Sequence, residues 1–524
     1  MGIYLRRIPR EPACFLLVAA TWATYLLVAG DDRFYYDAAS YWQLGELFGQ
    51  NAHFSLLAYD HPYRGYSLPL WNHGLDAVAS AVEIGDSTIV QLAGSLLVAT
   101  LGVMVVPRLA RALFSEAAVS WGRVLALNGL LFLFWRDHIG FPLSDFPALL
   151  AACVGVLGLL RATRAGYLVA GVGFGLAVNL RPAYLLAAVG AVVVAALVPL
   201  RPWRSLRHVV SPTLVLAGAL VVSLPQMAIN HHHRDSWSPT LDGAKEIGTG
   251  QLAWGLVLQK YETYVGPSSE YPDQRVLYFD PVANDVREAE GISEITSYGD
   301  YVEVVLRHPA AMAASYALHT FNGIDVRHAT PYIRDLRGSH VTASLLLYTL
   351  VFAGLARLLL SSARRGLGEI RWVALGLLIV PALTAIPGAI EPRFFLPLHL
   401  IVLMLVCFGP DSTASFFGGS TRRRVLLVVA YISFMVVCVT LSAATRAQIE
   451  HPIGGAAGAI RSAPSKDLEW AGARDYDEAL PFEGRPNVRY CGLDSELSRE
   501  DPADLIAFDI GNPFHSPRTL GELL

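Results

Sequence analysis

The sequence predicts an all-α polytopic membrane protein, a bundle of about eleven transmembrane helices with sizeable loops on one face. Three observations predict it. Of 524 residues, 53% are hydrophobic and 16% charged, where soluble domains carry about 25% charged residues. Apolar stretches recur at close to the roughly 20 residues that cross a bilayer as a helix. Between them, the arginine content of the loops alternates from high to low, as expected for a chain stitched through a membrane.

The stretches lie near 13–30, 87–107, 118–135, 143–160, 166–180, 183–200, 209–229, 341–360, 372–389, 394–409 and 425–443. The first follows "MGIYLRRIPREPA", which has the look of a signal sequence. Its apolar run is long, however, and no small-x-small cleavage site ends it, so it reads as a retained helix. The stretches 166–180 and 183–200 are short for a crossing and suit tilted or re-entrant helices.

With the N-terminus placed in the cytoplasm, the short inner loops hold seventeen arginines, from Arg6 to Arg424. The short outer loops hold five: Arg33, Arg64, Arg136, Arg181 and Arg393. This bias predicts a multi-pass protein of the plasma membrane (a bacterial inner membrane). Residues 1–443 form the membrane module, with outer loops 31–86 and 230–340. The tail 444–524, rich in Pro, Gly, Asp and Glu, reads as a small outer cap or a partly disordered segment. In the first outer loop, "DAASYWQLGELF" and "YSLPLWNHGLDAVASAV" have the spacing and aromatics of interfacial helices.

Several functions are disfavoured at once. A net charge of −4 gives no basic footprint for nucleic acid. Cys14, Cys153, Cys407 and Cys438 sit in apolar runs and Cys491 is alone, so neither a disulfide framework nor a zinc site is indicated. The run His231–His233 lacks a spaced carboxylate partner and is not read as a metal site. His308-Pro309 reads as structural.

The chemistry gathers on the outer face. Its short segments read "DDRFYYDAASYW", "YDHPYRGYSLPLW", "WRDHIGFPLSD", "NLRP" and "IEPRFFLP". Each holds an acid, an arginine or both, whereas the inner loops hold arginine on a bland background. Charges beside a membrane persist where they pair or act. Arg64, Arg181 and Arg393 suit convergence on a phosphate, which a guanidinium fork fits well. Asp37 or Asp32 suits acceptance of a proton from a hydroxyl. His61, Asp145 and Glu391 complete the candidate set. Each has a plainer reading beside it. Asp31 and Asp32 would cap a helix, and Asp145 would cap one after Ser144. Arg181 would snorkel from a helix end. Glu391 and Arg393 would form a structural pair, and His61 and Arg64 a Pro-rich turn.

The order of these segments resembles the GT-C superfamily of integral-membrane glycosyltransferases. "DAASYWQLGELFGQNAHFSL" is similar to the family's first outer loop, where an acid after helix one precedes a Tyr. "HPYRGYSLPLW", "FPLSDFPALLAACVGVLGLL", "GVGFGLAVNLRPAYLL", "LPQMAINHHHRDSWSP" and "EPRFFLPLHLIVL" resemble later landmarks in the same order, across roughly residues 15–405. No subfamily is assigned. The group includes dolichyl-phosphate-mannose protein mannosyltransferases and aminoarabinose transferases. No clean Asp-Glu pair like that of the former occurs in the first outer loop, nor a Trp-Trp-Asp motif like that of oligosaccharyltransferases.

The resemblance implies a polyprenyl-phosphate sugar as donor and a hydroxyl of a glycan, glycolipid or protein as acceptor. In the family the acid lies four residues before a Tyr. Asp37 fits with Tyr41, while Asp31 and Asp32 fit with Tyr35 and Tyr36; Leu44-Gly45 favours Asp37. No cofactor is indicated with certainty, and a divalent cation is possible without a residue pattern that supports it. The alternatives are a lipid-diphosphate-dependent ligase or polymerase and a non-catalytic transporter or scaffold. The near absence of charge at mid-span weighs against transport.

Overall fold

The computed structural model describes residues 11–50, 53–114, 119–197, 207–241, 243–265, 275–292, 295–334, 341–360, 369–409 and 421–449. Of the tail expected from residue 444, all beyond 449 lies outside the described residues, with Cys491. So do Arg6, Arg7, Arg10, Arg201, Arg204, Arg364 and Arg365, expected in the inner loops.

The chain opens with α1 (Glu11–Ala29), then α2 (Tyr36–Gln43), a two-residue hairpin β1 (Gly49–Gln50) and β2 (His53–Phe54), and α3 (Ser67–Val82). Next, α4 (Asp86–Ala99) continues through a π-helical turn, Thr100–Val105, into α5 (Val106–Leu113). The bundle proceeds through α6 (Trp121–Trp135), α7 (Asp145–Arg161), α8 (Arg164–Leu180), α9 (Leu185–Leu197) and α10 (Arg207–Arg234). A mixed segment follows: α11 (Ala244–Gly255), β3 (Leu258–Tyr264), β4 (Arg275–Phe279), α12 (Pro281–Ala289), α13 (Tyr298–Arg307), α14 (Pro309–Ile324) and β5 (Tyr332–Ile333). Four helices complete the described chain: α15 (Val341–Leu360), α16 (Glu369–Ala385), α17 (Leu396–Phe408) and α18 (Thr421–Arg446).

In its described part, every one of the eleven apolar stretches lies mainly on helix. Among the described residues, five helices are long and apolar enough to cross a membrane: Glu11–Ala29, Asp86–Leu113, Val209–Arg234, Val341–Leu359 and Thr421–Arg446. Arg164–Leu180, Pro182–Leu197, Trp372–Ala385 and Pro392–Phe408 are apolar but shorter. A 17-residue helix such as α8 rises only about 25 Å, short of a bilayer's roughly 30 Å core. Proline explains one short pair. Arg181 is driven extended (φ −148°, ψ 111°) by Pro182, which ends α8 before α9 begins.

Burial sorts the helices into layers. In α7 nearly every residue from Asp145 to Leu159 is buried, and so is α17 from Leu396 through Leu405 except at Leu398. These two are interior helices. By contrast, the membrane-length window of α18 is only 11% buried, so it lies at the periphery with an apolar outer surface. The crossing of α8 with α10 depends on glycine. A Cβ on Gly171 would collide with the Val215 carbonyl, and one on Gly218 with the Leu168 carbonyl. Such small residues let apolar helices pack backbone to backbone. Gly171→Leu is therefore expected to force the pair apart and cost about 1–3 kcal/mol or more. A lowered unfolding midpoint of the solubilised protein would show it.

The all-α expectation misses one layer. β3 pairs antiparallel with β4 and parallel with β5 to give a three-stranded sheet of order β4-β3-β5. The loop's polar sequence concealed it, because β3 is buried on both faces and does not alternate. This sheet is joined to α18. Thr445 Oγ1 donates to Gln259 Oε1 (3.2 Å) and Asn322 Oδ1 (3.0 Å), Ser442 donates to Asp325 (2.5 Å), and the Phe279 amide donates to the Gln448 carbonyl (3.0 Å). Through β5 the segment also meets the connection between α1 and α3. Tyr332 Oη accepts from the Ala38 amide (3.0 Å), and Arg334 pairs with Asp31.

Candidate active site

Six of the eight candidate residues meet, drawn from five separate segments. Asp37 lies in the first turn of α2. Tyr36 before it is in the left-handed region (φ 42°), a conformation rarely adopted by an aromatic residue. Its hydroxyl donates to the Tyr264 carbonyl (3.2 Å), which holds the unusual turn against β3.

Arg64 arrives on the loop before α3. Fully buried Tyr59 donates to the Arg64 carbonyl (2.8 Å), and Asp60 pairs with Arg234 of α10. Gly65 packs so closely on Asn179 that a Cβ there would clash. Asn179 in turn accepts from the Ser67 amide (3.0 Å) and donates to Gln226 (3.2 Å). The same contact thus brings Arg64 to the end of α8, where Arg181 begins the connection to α9.

Glu391 and Arg393 lie just before α17. β3 holds this segment by its backbone: the Tyr261 amide donates to the Ile390 carbonyl (3.0 Å), and the Ile390 amide to the Gln259 carbonyl (3.4 Å). Arg393 is the hub. Its Nη2 donates to Asp37 Oδ2 (2.6 Å), its Nε lies 2.7 Å from Glu391 Oε2, and its Nη1 lies 3.7 Å from Asp145 Oδ2. Arg181 pairs with Asp145, and Arg64 lies 3.9 Å from Asp37 Oδ1. Aromatic faces complete the setting, with Arg64 over Tyr41 (4.9 Å) and Arg181 over Phe394 (5.0 Å).

Three guanidiniums thus interleave with three carboxylates. The acids differ in access: the Asp37 side chain is 34% exposed, against 4% for Asp145 and 5% for Glu391. Only Asp37 is placed for a substrate to reach readily. Burial alone would lower the Arg393 pKa, but Glu391 and Asp37 hold it well above its ordinary value. Burial raises the Glu391 carboxyl and outweighs the opposing pull of Arg393.

A raised acid stabilises the folded state below its ordinary pKa of 4.5, and that contribution is lost as pH climbs through the raised value. Glu391→Gln is neutral throughout. Its unfolding midpoint relative to wild type is expected to improve from pH 4.5 upward, as thermal unfolding across pH would measure.

The other two candidates, Asp32 and His61, stand apart from the cluster. Asp32 is exposed on a bend, and Asp31 is engaged by Arg334; helix α2 is instead capped at Tyr35, so the capping reading of these acids fails. His61 is buried and its Nδ1 accepts from the Tyr63 amide (3.2 Å). Burial, then Arg64 and Arg234, lower its pKa to about 3, so the ring is neutral and shapes the turn that carries Arg64. Asp145 does not cap α7 with its side chain: its carboxylate faces Arg181 and Arg393, while Ser144 holds the N-cap position. The histidine run ends a helix. His231 stacks on Trp237 (4.3 Å), and His233 meets the Leu57 carbonyl (2.7 Å). His308 pairs with Glu290 (2.6 Å).

A divalent cation does not fit. Each carboxylate of the site already faces a guanidinium, and three arginines repel a dication. Among the described residues, no group of three or more His, Cys, Asp or Glu is arranged to hold a metal ion.

The sequence reading overlooked Tyr332 and Tyr261, which pack around Asp37 and Glu391. It also overlooked a buried set on the other side of Glu391. There Lys260 pairs with Glu262 (2.7 Å), and Arg327 with Asp325 (3.3 Å). Its signal was present: Lys260 is one of only three lysines in the chain. No family model matches this sequence, and neither does any curated protein.

Proposed function

We propose that the protein is a GT-C-type membrane glycosyltransferase that moves a sugar from a polyprenyl-phosphate donor to a hydroxyl acceptor. The observation that carries the reading is the meeting of an accessible carboxylate, Asp37, with Arg64, Arg181 and Arg393 beside aromatic and apolar surface. Asp37 takes the acceptor's proton as its oxygen attacks the anomeric carbon. The bond from that carbon to the phosphate oxygen breaks, and the lipid phosphate leaves with the electron pair. The arginines stabilise its charge. A single displacement inverts the anomeric centre.

An apolar cleft of about 470 Å³, lined by residues including Tyr316, Leu383, Ile386 and Pro387, opens on the segment leading to Glu391. It suits the isoprenoid chain. In this reading about eleven helices span a bacterial inner membrane, and the site faces outward, where flipped donors reside.

The test is incubation of the purified protein in nanodiscs with a panel of polyprenyl-phosphate sugars. Consumption of one donor by wild type and not by Asp37→Asn supports the reading. Folded wild type that consumes none overturns it and advances the lipid-diphosphate and non-catalytic alternatives.

A further inference from the structure

A small cleft lies between Glu391–Arg393 and the buried set on β3. Trp135, Glu262, Arg327, Thr330, Glu391 and Arg393 are among its walls. Its volume is about 20 Å³, room for one oxygen-sized group. Four buried polar atoms of its lining residues have no hydrogen-bond partner among the described residues: Trp135 Nε1, Arg327 Nη1, Arg393 Nε and Glu391 Oε2. The last two face one another as an ion pair at 2.7 Å, which leaves Trp135 Nε1 and Arg327 Nη1 as the donors still to be met. Trp135 is 1% exposed and Arg327 8%. The other guanidinium nitrogens of Arg327 are engaged, Nε by Asp325 (3.3 Å) and Nη2 by Ser442. A buried donor without an acceptor is costly, so a site keeps one where a ligand supplies the acceptor.

The charges constrain that ligand. Glu262 is matched by Lys260, Asp325 by Arg327 and Glu391 by Arg393. The three pairs leave no net field to hold an anion. At Trp135 Nε1 and Arg327 Nη1 an ammonium meets no acceptor, since it too offers only donors, and the Glu262 and Glu391 carboxylates that line the cleft already face Lys260 and Arg393.

We propose that this cleft takes an uncharged oxygen of the reacting sugar, a hydroxyl or acyl carbonyl, and so selects sugars bearing oxygen there over sugars bearing an ammonium. The inference rests on the transferase reading and deepens it. The oxygen belongs either to the donor's sugar or to a sugar acceptor, and kinetics separates the two.

Trp135→Phe removes the indole N–H while keeping an aromatic body; Arg327→Gln strands Asp325 and risks the fold, so Trp135→Phe carries the test. Reconstituted enzyme is assayed with polyprenyl-phosphate-linked hexose, deoxyhexose and aminohexose. In Trp135→Phe the KM for the hexose donor is expected to rise about threefold to tenfold with kcat little changed. A rise in the acceptor KM alone assigns the oxygen to the acceptor. Unchanged KM values for both substrates overturn the proposal, with or without a lower unfolding midpoint, as does a wild-type preference for the aminohexose donor. If wild type turns over no donor, the transferase reading falls and takes this inference with it. If it turns over donor and Trp135→Phe behaves identically, the inference falls alone.

Discussion

Asp37→Asn is expected to reduce sugar transfer by about 10²- to 10⁴-fold, the range for loss of a general base, and to leave the fold intact. The carboxamide matches the carboxylate in shape, and a side chain that is 34% exposed loses little on giving up a partly solvated charge. Arg393 keeps Glu391 as a partner. Asp32→Asn, on an exposed bend outside the cluster, is expected to stay within about twofold of wild type, since surface substitutions rarely disturb a distant site. The pair is decisive when assayed side by side on one donor. Equal loss in both variants, or loss in Asp32→Asn alone, would move the base away from Asp37.

Arg393→Met is expected to act chiefly on stability. It leaves the buried Glu391 carboxylate without its cation and withdraws the donor bonded to Asp37. Removing one partner of a buried pair costs about 3–5 kcal/mol. Lysine does not rescue it, because a point charge cannot meet Asp37, Glu391 and Asp145 from one planar fork. Adding Glu391→Gln to Arg393→Met removes the stranded charge and is expected to restore part of the loss. Thermal unfolding in detergent measures all three. An Arg393→Met midpoint equal to wild type would show that the cluster is held together by its backbone alone.

The helices were legible because bilayer thickness writes itself into sequence as runs of about 20 apolar residues. The short partners α8 and α9 were legible as short for the same reason. The cluster was legible as a set of residue types: Asp37, Arg64, Asp145, Arg181, Glu391 and Arg393 were each conspicuous as charges beside apolar runs, and the structure brings the six together. What the sequence left open was rank among neighbours. Asp31, Asp32 and Asp37 share the same local pattern. They are separated by tertiary facts, namely the left-handed turn at Tyr36 and the capture of Asp31 by Arg334 from beyond β5. The sheet was illegible because "LQKYETY" is buried on both faces. Its lysine and glutamate are neutralised by one another, and no sequence period reports that.

The stitching of α18 to the sheet has a consequence for how the protein is made. A ribosome releases Gln259 and Asp325 long before their partners: Thr445 follows Gln259 by 186 residues, and Ser442 follows Asp325 by 117. Until α18 is in place, buried polar groups around β3 lack part of their complement. The same strand fixes Ile390, and with it the approach of Glu391 and Arg393 to Asp37. Assembly of the charged cluster around Arg393 is thereby tied to placement of a helix that comes late in synthesis, and a half-finished chain carries a cluster that is still unset.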